Sequence, residues 1–159
     1  MRNRLEIRAR EGVARCLIRR LMVPRVYFEV EWPEAGKDRY DVLVIDRDGV
    51  GDPHLVEIRE KAADALLLAP KLLVAPAPYR WLAFLRGTED EAASSALLSQ
   101  EILYLKDTAG RVGVIEIVPM AGDTLGANVR LAAERFPTPA YDLASTFSRS
   151  HIAQMQFGQ

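Results

Sequence analysis

Two carboxylates and a guanidinium, Asp41, Glu57 and Arg59, fall within the stretch YDVLVIDRDGVGDPHLVEIREK from Tyr40 to Lys61. Any chemistry this chain carries is expected here, where acidic groups and a cation share one stretch. The elements carrying these groups read as two strands folded back on each other. Tyr40 to Asp46 holds the β-branched run Val42-Leu43-Val44-Ile45, and His54 to Glu60 carries Leu55, Val56 and Ile58. Between them Asp48-Gly49 supplies the positive-φ step of a reversal, and Pro53, which cannot donate to a ladder, is expected just outside the second strand. Alternation puts Asp41, Leu43 and Ile45 on one face, and Leu55, Glu57 and Arg59 on one face of the partner. A register with Asp46 opposite His54 sets Asp41 opposite Arg59 and Leu43 opposite Glu57, which gathers the charged groups on one surface.

Asp at the start of a strand, a hairpin, then Glu-x-Arg on the next strand resembles the PD-(D/E)XK nuclease superfamily, the restriction-endonuclease-like fold. The resemblance implies that Asp41 and Glu57 ligate Mg²⁺ or Mn²⁺, with a cation at position 59 beside the attacked phosphate. Tyr40 stands where the family has proline, and Arg59 where it has lysine. Arginine stays protonated at any ordinary pH and cannot take a proton from water. The family tolerates a migrated lysine, and Lys61, two residues on, would share the face if the strand continues. The resemblance implies a metal-dependent nuclease, or else a catalytically decayed module of the same fold that binds nucleic acid or a protein partner. In that fold a glutamate of the first helix sometimes joins the metal site, and Glu11 is the residue that would match.

Composition bounds the alternatives. The chain has 159 residues, 49% of them hydrophobic, enough for one domain with a full core. The apolar run from Ala62 to Pro78 is broken by Asp64, Lys71 and prolines, so no membrane span is expected. The opening MRNRLEIRAR lacks the apolar centre of a secretory signal, and the single Cys16 excludes an internal disulfide and a CxxC site. A reducing cytoplasm is the expected compartment. Two histidines, His54 and His151, argue against zinc and Ser-His chemistry. Net charge is -1, yet residues 1–25 hold eight arginines against two glutamates, so that segment is near +6 and the remainder near -7.

The positioning elements follow in order. Asn3 to Met22 reads as an amphipathic helix with Leu5, Ala9, Val13, Cys16, Leu17 and Leu21 on one side. Arg4, Arg8, Arg15 and Arg19 form a separate stripe that could contact a phosphate backbone or be a solvated face with Glu11–Arg15 as an i,i+4 pair. Val26 to Trp32 alternates as a strand, placing Val26, Phe28 and Val30 inward and Glu29 and Glu31 on the wetter face, within conceivable reach of a metal. Lys61 to Ala69 has helical content with Pro70 ending it, and Tyr79 to Arg86 is a fourth strand. This sequence of helix, three strands, helix and strand is the αβββαβ order of the resembled core, and predicts an α/β mixed sheet flanked by helices. Beyond it we expect a capped helix from Thr88 through Gln100, a hairpin of Ile102 to Lys106 with Val112 to Met120 whose Glu116 points outward, and a last helix from Leu125 to Phe136. One nuclease-like domain over 1–145 and a loosely ordered tail over 146–159 complete the prediction. His54 is expected to help start its strand. The extra hairpin offers a possible interface for a homodimer or larger assembly.

Overall fold

Alternating apolar residues become a single mixed sheet in the computed structural model, which describes residues 4–22, 24–31, 39–47, 51–85, 110–137 and 154–155. The elements are α1 (Arg4–Ile18), β1 (Arg25–Glu31), β2 (Arg39–Ile45), β3 (Pro53–Arg59), α2 (Ala62–Leu66), α3 (Ala69–Leu73), β4 (Tyr79–Leu85), β5 (Gly113–Pro119), β6 (Leu125–Leu131) and the two-residue β7 (Gln154–Met155). Strand order is β6-β5-β4-β3-β2-β1-β7. β1, β2 and β3 run antiparallel in turn, β3, β4 and β5 run parallel, and β6 returns antiparallel. Among the described residues no helix is long and apolar enough to cross a membrane.

Two apolar layers cover the sheet. α1 sets Ala9, Val13, Ala14 and Leu17 against Val26, Val42, Val44, Val56, Trp81 and Ile115. On the other face α2 and α3 set Ala65, Ala69 and Leu72 against Tyr40, Leu43, Leu55, Leu82 and Phe84. The middle strands are therefore buried on both sides, which is why YRWLAFL and GVIEIVP read as near-continuous apolar runs. Arg80, only 4% exposed, donates to the carbonyls of Leu72, Leu73 and Ala77, satisfying groups that the end of α3 leaves open, and stacks over Phe136 at 3.9 Å.

Gly12 sits in the middle of α1, where glycine costs about 1 kcal/mol relative to alanine. The helix crosses β6 so closely that a Cβ at Gly12 would lie 2.7 Å from the Leu125 carbonyl oxygen. That oxygen belongs to backbone and cannot swing aside. We expect Gly12→Ala to lower unfolding free energy by about 1–2 kcal/mol despite its better helix propensity, measured by urea denaturation.

Several expectations are corrected. Leu125–Leu131 is a strand rather than the start of a helix, because β5 offers it a free edge and Leu125, Ala127, Val129 and Leu131 already alternate. Phe136 follows in extended chain, fully buried, its N–H bonded to the Pro78 carbonyl. Pro70 does not end a helix. It occupies the first turn of α3, where its missing N–H has no partner to lose, so the expected single helix is two short ones. Glu116 is buried rather than outward, since β5 lies between β4 and β6, and its charge meets Arg130 at 3.1 Å. β5 is present as expected, with β6 as its antiparallel partner. The expected strand 102–106, the helix through Gln100, His151 and all of the tail 146–159 except Gln154–Met155 lie outside the described residues. Those two residues pair with β1.

Candidate active site

The β2–β3 ladder sets the level of each acidic group. Its pairs run from Ile45↔Pro53 through Leu43↔Leu55 to Val42↔Val56. Pro53 is thus the first residue of β3 rather than the residue before it, and the register differs by two from the one expected. The turn accounts for the difference: Gly51 N–H bonds the Asp46 carbonyl at 2.9 Å, closing the reversal earlier than a loop from Arg47 to Pro53 would. A two-residue slip preserves faces, so Glu57 remains on the face of Leu55, but it lies at the level of Asp41 instead of two residues below it.

Past Val42 and Val56 the two strands part. Ile58 N–H has no β2 carbonyl to bond and donates to Asp41 Oδ2 at 2.7 Å. Asp41 itself does not share a face with Leu43. Tyr40 and Val42 belong to opposite apolar layers, as do Val30 and Phe28 on β1, so the alternation of both strands breaks at one level. Glu29 marks the break with φ of 56°, a left-handed residue that reverses the phase of a strand. Asp41 consequently opens on a groove of about 360 Å³ beside α1, lined also by Leu5, Ala9, Arg10, Arg59 and Leu85.

Arg59 joins the two acids. Its Nη1 lies 3.3 Å from Asp41 Oδ2 and its Nη2 3.3 Å from Glu57 Oε2, while Nη1 also donates to the Ile58 carbonyl. The other oxygen of Glu57 meets Lys71 Nζ at 3.1 Å. Lys71 reaches down from α3, donates to the Arg39 carbonyl at 2.6 Å and sits 4.7 Å from the centre of the Tyr40 ring. Glu57 is 2% exposed. Burial pushes its carboxyl above the usual range, Asp41 adds to the rise, and Lys71 and Arg59 pull it back.

The expected groups Asp41, Glu57 and Arg59 therefore converge, from two faces of a parted strand pair rather than from one. Lys61 does not join them. It is exposed at the N-cap of α2, because β3 ends at Arg59 and the chain turns away. Lys71 takes the place foreseen for it. The one sequence feature that marks it is that Lys71 is the sole cation in the crossover from Ala62 to Pro78, whose other charged residue is Asp64. Glu11 pairs with Arg15 at 3.6 Å rather than with the acids. Arg4 and Arg8 lie 3.7 and 3.5 Å from Asp123 in the β5–β6 turn, and Arg19 is exposed past the end of α1. These are surface pairs, worth about 0–1 kcal/mol each and open to exchange with another anion. His54 is the second residue of β3, near the strand start where it is expected and away from the acidic pair.

Among the described residues no group of three or more His, Cys, Asp or Glu side chains gathers in a metal-holding arrangement. The candidate ligand set is a pair, brought within the span of one guanidinium. Two carboxylates with waters and substrate phosphates suffice for Mg²⁺, so the donor set fits a hard divalent cation.

Fold and site together define a mixed α/β protein, a sheet flanked by helices, with a charged notch where two antiparallel strands part. No protein-family model matches the chain, and no curated protein matches it. Among solved structures it is similar to SPO1766, a protein of unknown function from Silicibacter pomeroyi, with 19% identity and a TM-score of 0.58 over 93% of this chain and 86% of that one. At that identity the likeness speaks for the fold alone.

Proposed function

We propose that the chain is a metal-dependent phosphodiesterase of the restriction-endonuclease-like kind, cutting a nucleic-acid backbone at the notch between β2 and β3. The observation that carries this is Lys71 Nζ, 3.1 Å from Glu57 Oε1: a lysine reaches one of the two carboxylates even though position 59 holds arginine. The order helix, three strands, helical crossover and strand supports it, being the order of the resembled core. Asp41 and Glu57 would hold Mg²⁺ or Mn²⁺. When bound, the cation supplies charge that offsets the negative charge developing on the phosphoryl group. Arg59, fixed as a cation, turns from the carboxylates to fork onto the phosphate, and Lys71 keeps Glu57 anionic despite its burial. The arginines of α1, Arg4 and Arg8 among them, exchange their pairs with Asp123 for backbone phosphates along the edge of the groove.

The double bridge made by Arg59 favours one other role. A guanidinium between the two acids already neutralises the pair, which suits a module of the same fold that binds nucleic acid without cutting it. Calorimetry with Mg²⁺ and Mn²⁺ on the wild type and on Glu57→Ala, with plasmid and single-strand cleavage on the same samples, separates the two. We expect metal uptake and metal-dependent cutting by the wild type, both lost in Glu57→Ala. Nucleic-acid binding without metal uptake or cutting would establish the non-cutting role, and absence of metal uptake and nucleic-acid binding alike would remove both.

A further inference from the structure

A second cavity, of about 500 Å³, lies at the opposite end of the same strand pair and at the C-terminal end of α1. Asp41 and Asp46 are five residues apart along β2 and its end, so this cavity is about 16 Å from the acidic notch. His54, 7% exposed, forms part of its floor. Its ring stacks on Tyr79 with centroids 4.4 Å apart and planes 8° from parallel, and its Nδ1 accepts the indole N–H of Trp81 at 3.0 Å. Accepting at Nδ1 fixes the neutral tautomer with the proton on Nε2. Among the described residues Nε2 has no protein partner and no enclosed polar side-chain atom lacks one, so Nε2–H opens on the cavity. A buried residue thus presents one oriented donor to empty space.

The surroundings narrow what it would meet. Leu17, Leu21 and Ala133 supply apolar wall beside the rings of Tyr79 and Trp81. At the rim the two acids are committed: Asp46 Oδ1 accepts the N–H groups of Met22 and Arg47, and Asp52 pairs with Arg135 at 3.4 Å. Arg20 and Arg47, both exposed, have no side-chain partner among the described residues. Arg47 is held at φ of 50°, a conformation an arginine adopts only at a cost. A flat ring with an acceptor on its edge suits the floor and walls, and an anionic group on that ring suits the two arginines.

We infer that this cavity binds a nucleotide, its base accepting from His54 Nε2–H between the apolar walls and its phosphate held by Arg20 and Arg47. The nucleotide is either a free nucleoside monophosphate or one unstacked from a single strand, since both present the same ring and phosphate. The inference stands apart from the acidic notch and does not need the chain to cut anything.

The test titrates AMP, GMP, CMP and UMP, adenosine, inorganic phosphate and a short single-stranded DNA into ¹⁵N-labelled protein, reading the His54 imidazole nitrogens alongside calorimetry. With two histidines in the chain, a His151→Asn background leaves one imidazole to follow. We expect at least one monophosphate to bind one per chain and shift the His54 signals, with its nucleoside and inorganic phosphate each at least about tenfold weaker. The double variant Arg20→Ser, Arg47→Gly removes both cations, and glycine accepts the φ of position 47 without strain, so its folding is not at issue. It should weaken the monophosphate at least about tenfold and leave the nucleoside unchanged. A response to the DNA alone, lost in the double variant, supports the strand as source. No shift at His54 with any probe, inorganic phosphate binding as tightly as the nucleotide, or affinity indifferent to the double variant overturns the inference. Glu57→Gln should leave nucleotide affinity unchanged, which keeps failure here distinct from failure at the notch.

Discussion

Lys71→Met should lower metal-dependent cleavage by about a hundred- to a thousandfold and unfolding free energy at neutral pH by about 2 kcal/mol, while Lys61→Met changes neither. Methionine keeps most of the length and the apolar stem of the lysine, so the packing of α3 survives while the charge and its hydrogen bonds to Glu57 and the Arg39 carbonyl leave. Glu57 is 2% exposed and depends on two cations, of which Arg59 is 38% exposed and shared with Asp41. With Lys71 gone, one oxygen of a buried carboxylate loses its partner, and the penalty for keeping that charge out of water falls on the folded state. The sign with pH follows. Burial already raises the Glu57 carboxyl, Lys71 is the largest of the influences lowering it, and removing Lys71 raises it further. A carboxyl raised in the folded state is protonated there first, so the stability deficit of Lys71→Met shrinks as pH falls through the raised value. Urea unfolding at several pH values, with cleavage on the same preparations, reads both effects. Full cleavage by Lys71→Met would remove Lys71 from the site. A deficit that grows on acidification would mean that Glu57 is not the group responding.

How much of this site the sequence discloses depends on which interaction sets each feature. The strands are legible because burial on alternate sides writes itself into Val42, Val44 and Val56 on one face and Leu43, Ile45 and Leu55 on the other. The approach of Glu57 and Arg59 to Asp41 is legible as proximity on adjacent strands, since the observed two-residue shift keeps Glu57 and Arg59 on the face expected of them. What is not legible is the reversal of phase at Glu29 and Asp41. A left-handed φ at a glutamate leaves no compositional mark, unlike one at glycine, and it lies at the level where Asp41 opens on the α1 side. Lys71 is hidden for another reason. Its role comes from the angle at which α3 returns over β2 and β3, a tertiary matter, whereas Lys61 is close in sequence and therefore attracts attention it does not merit. The segment 125–136 shows local preference overruled: Ala132, Ala133, Glu134 and Arg135 favour a helix, yet an open β5 edge and the pocket for Phe136 draw the chain out straight.

Acid should destabilise the protein through His54 by about 3 kcal/mol between pH 6.5 and 4, the second of the two largest effects. Burial drives the His54 value down from 6.5 to about 4, against the pull of Asp46 and Asp52 and with a smaller push from Arg20. The folded state therefore holds the ring neutral where the unfolded chain protonates it. This contribution is whole above the unfolded value near 6.5, declines as pH falls, and is gone below about 4. Geometry points the same way, because a proton on Nδ1 would face the indole N–H of Trp81 donor to donor, and Trp81 is 2% exposed with nowhere else to turn. Glu57 works in the opposite direction in the lower part of the range, since its raised carboxyl takes up a proton more readily folded than unfolded. His54→Asn separates them. Its side-chain oxygen can still accept from Trp81 but does not titrate, so the variant loses stacking on Tyr79 at every pH and loses the acid slope between 6.5 and 4. Urea midpoints from pH 7 to 4.5 on both proteins measure the difference directly. A wild type as stable at pH 5 as at pH 7, or a His54 resonance titrating near 6.5, would mean that the ring is wetter than its contacts with Tyr79 and Trp81 allow. The Trp81 hydrogen bond would then no longer fix the tautomer whose Nε2–H faces the second cavity.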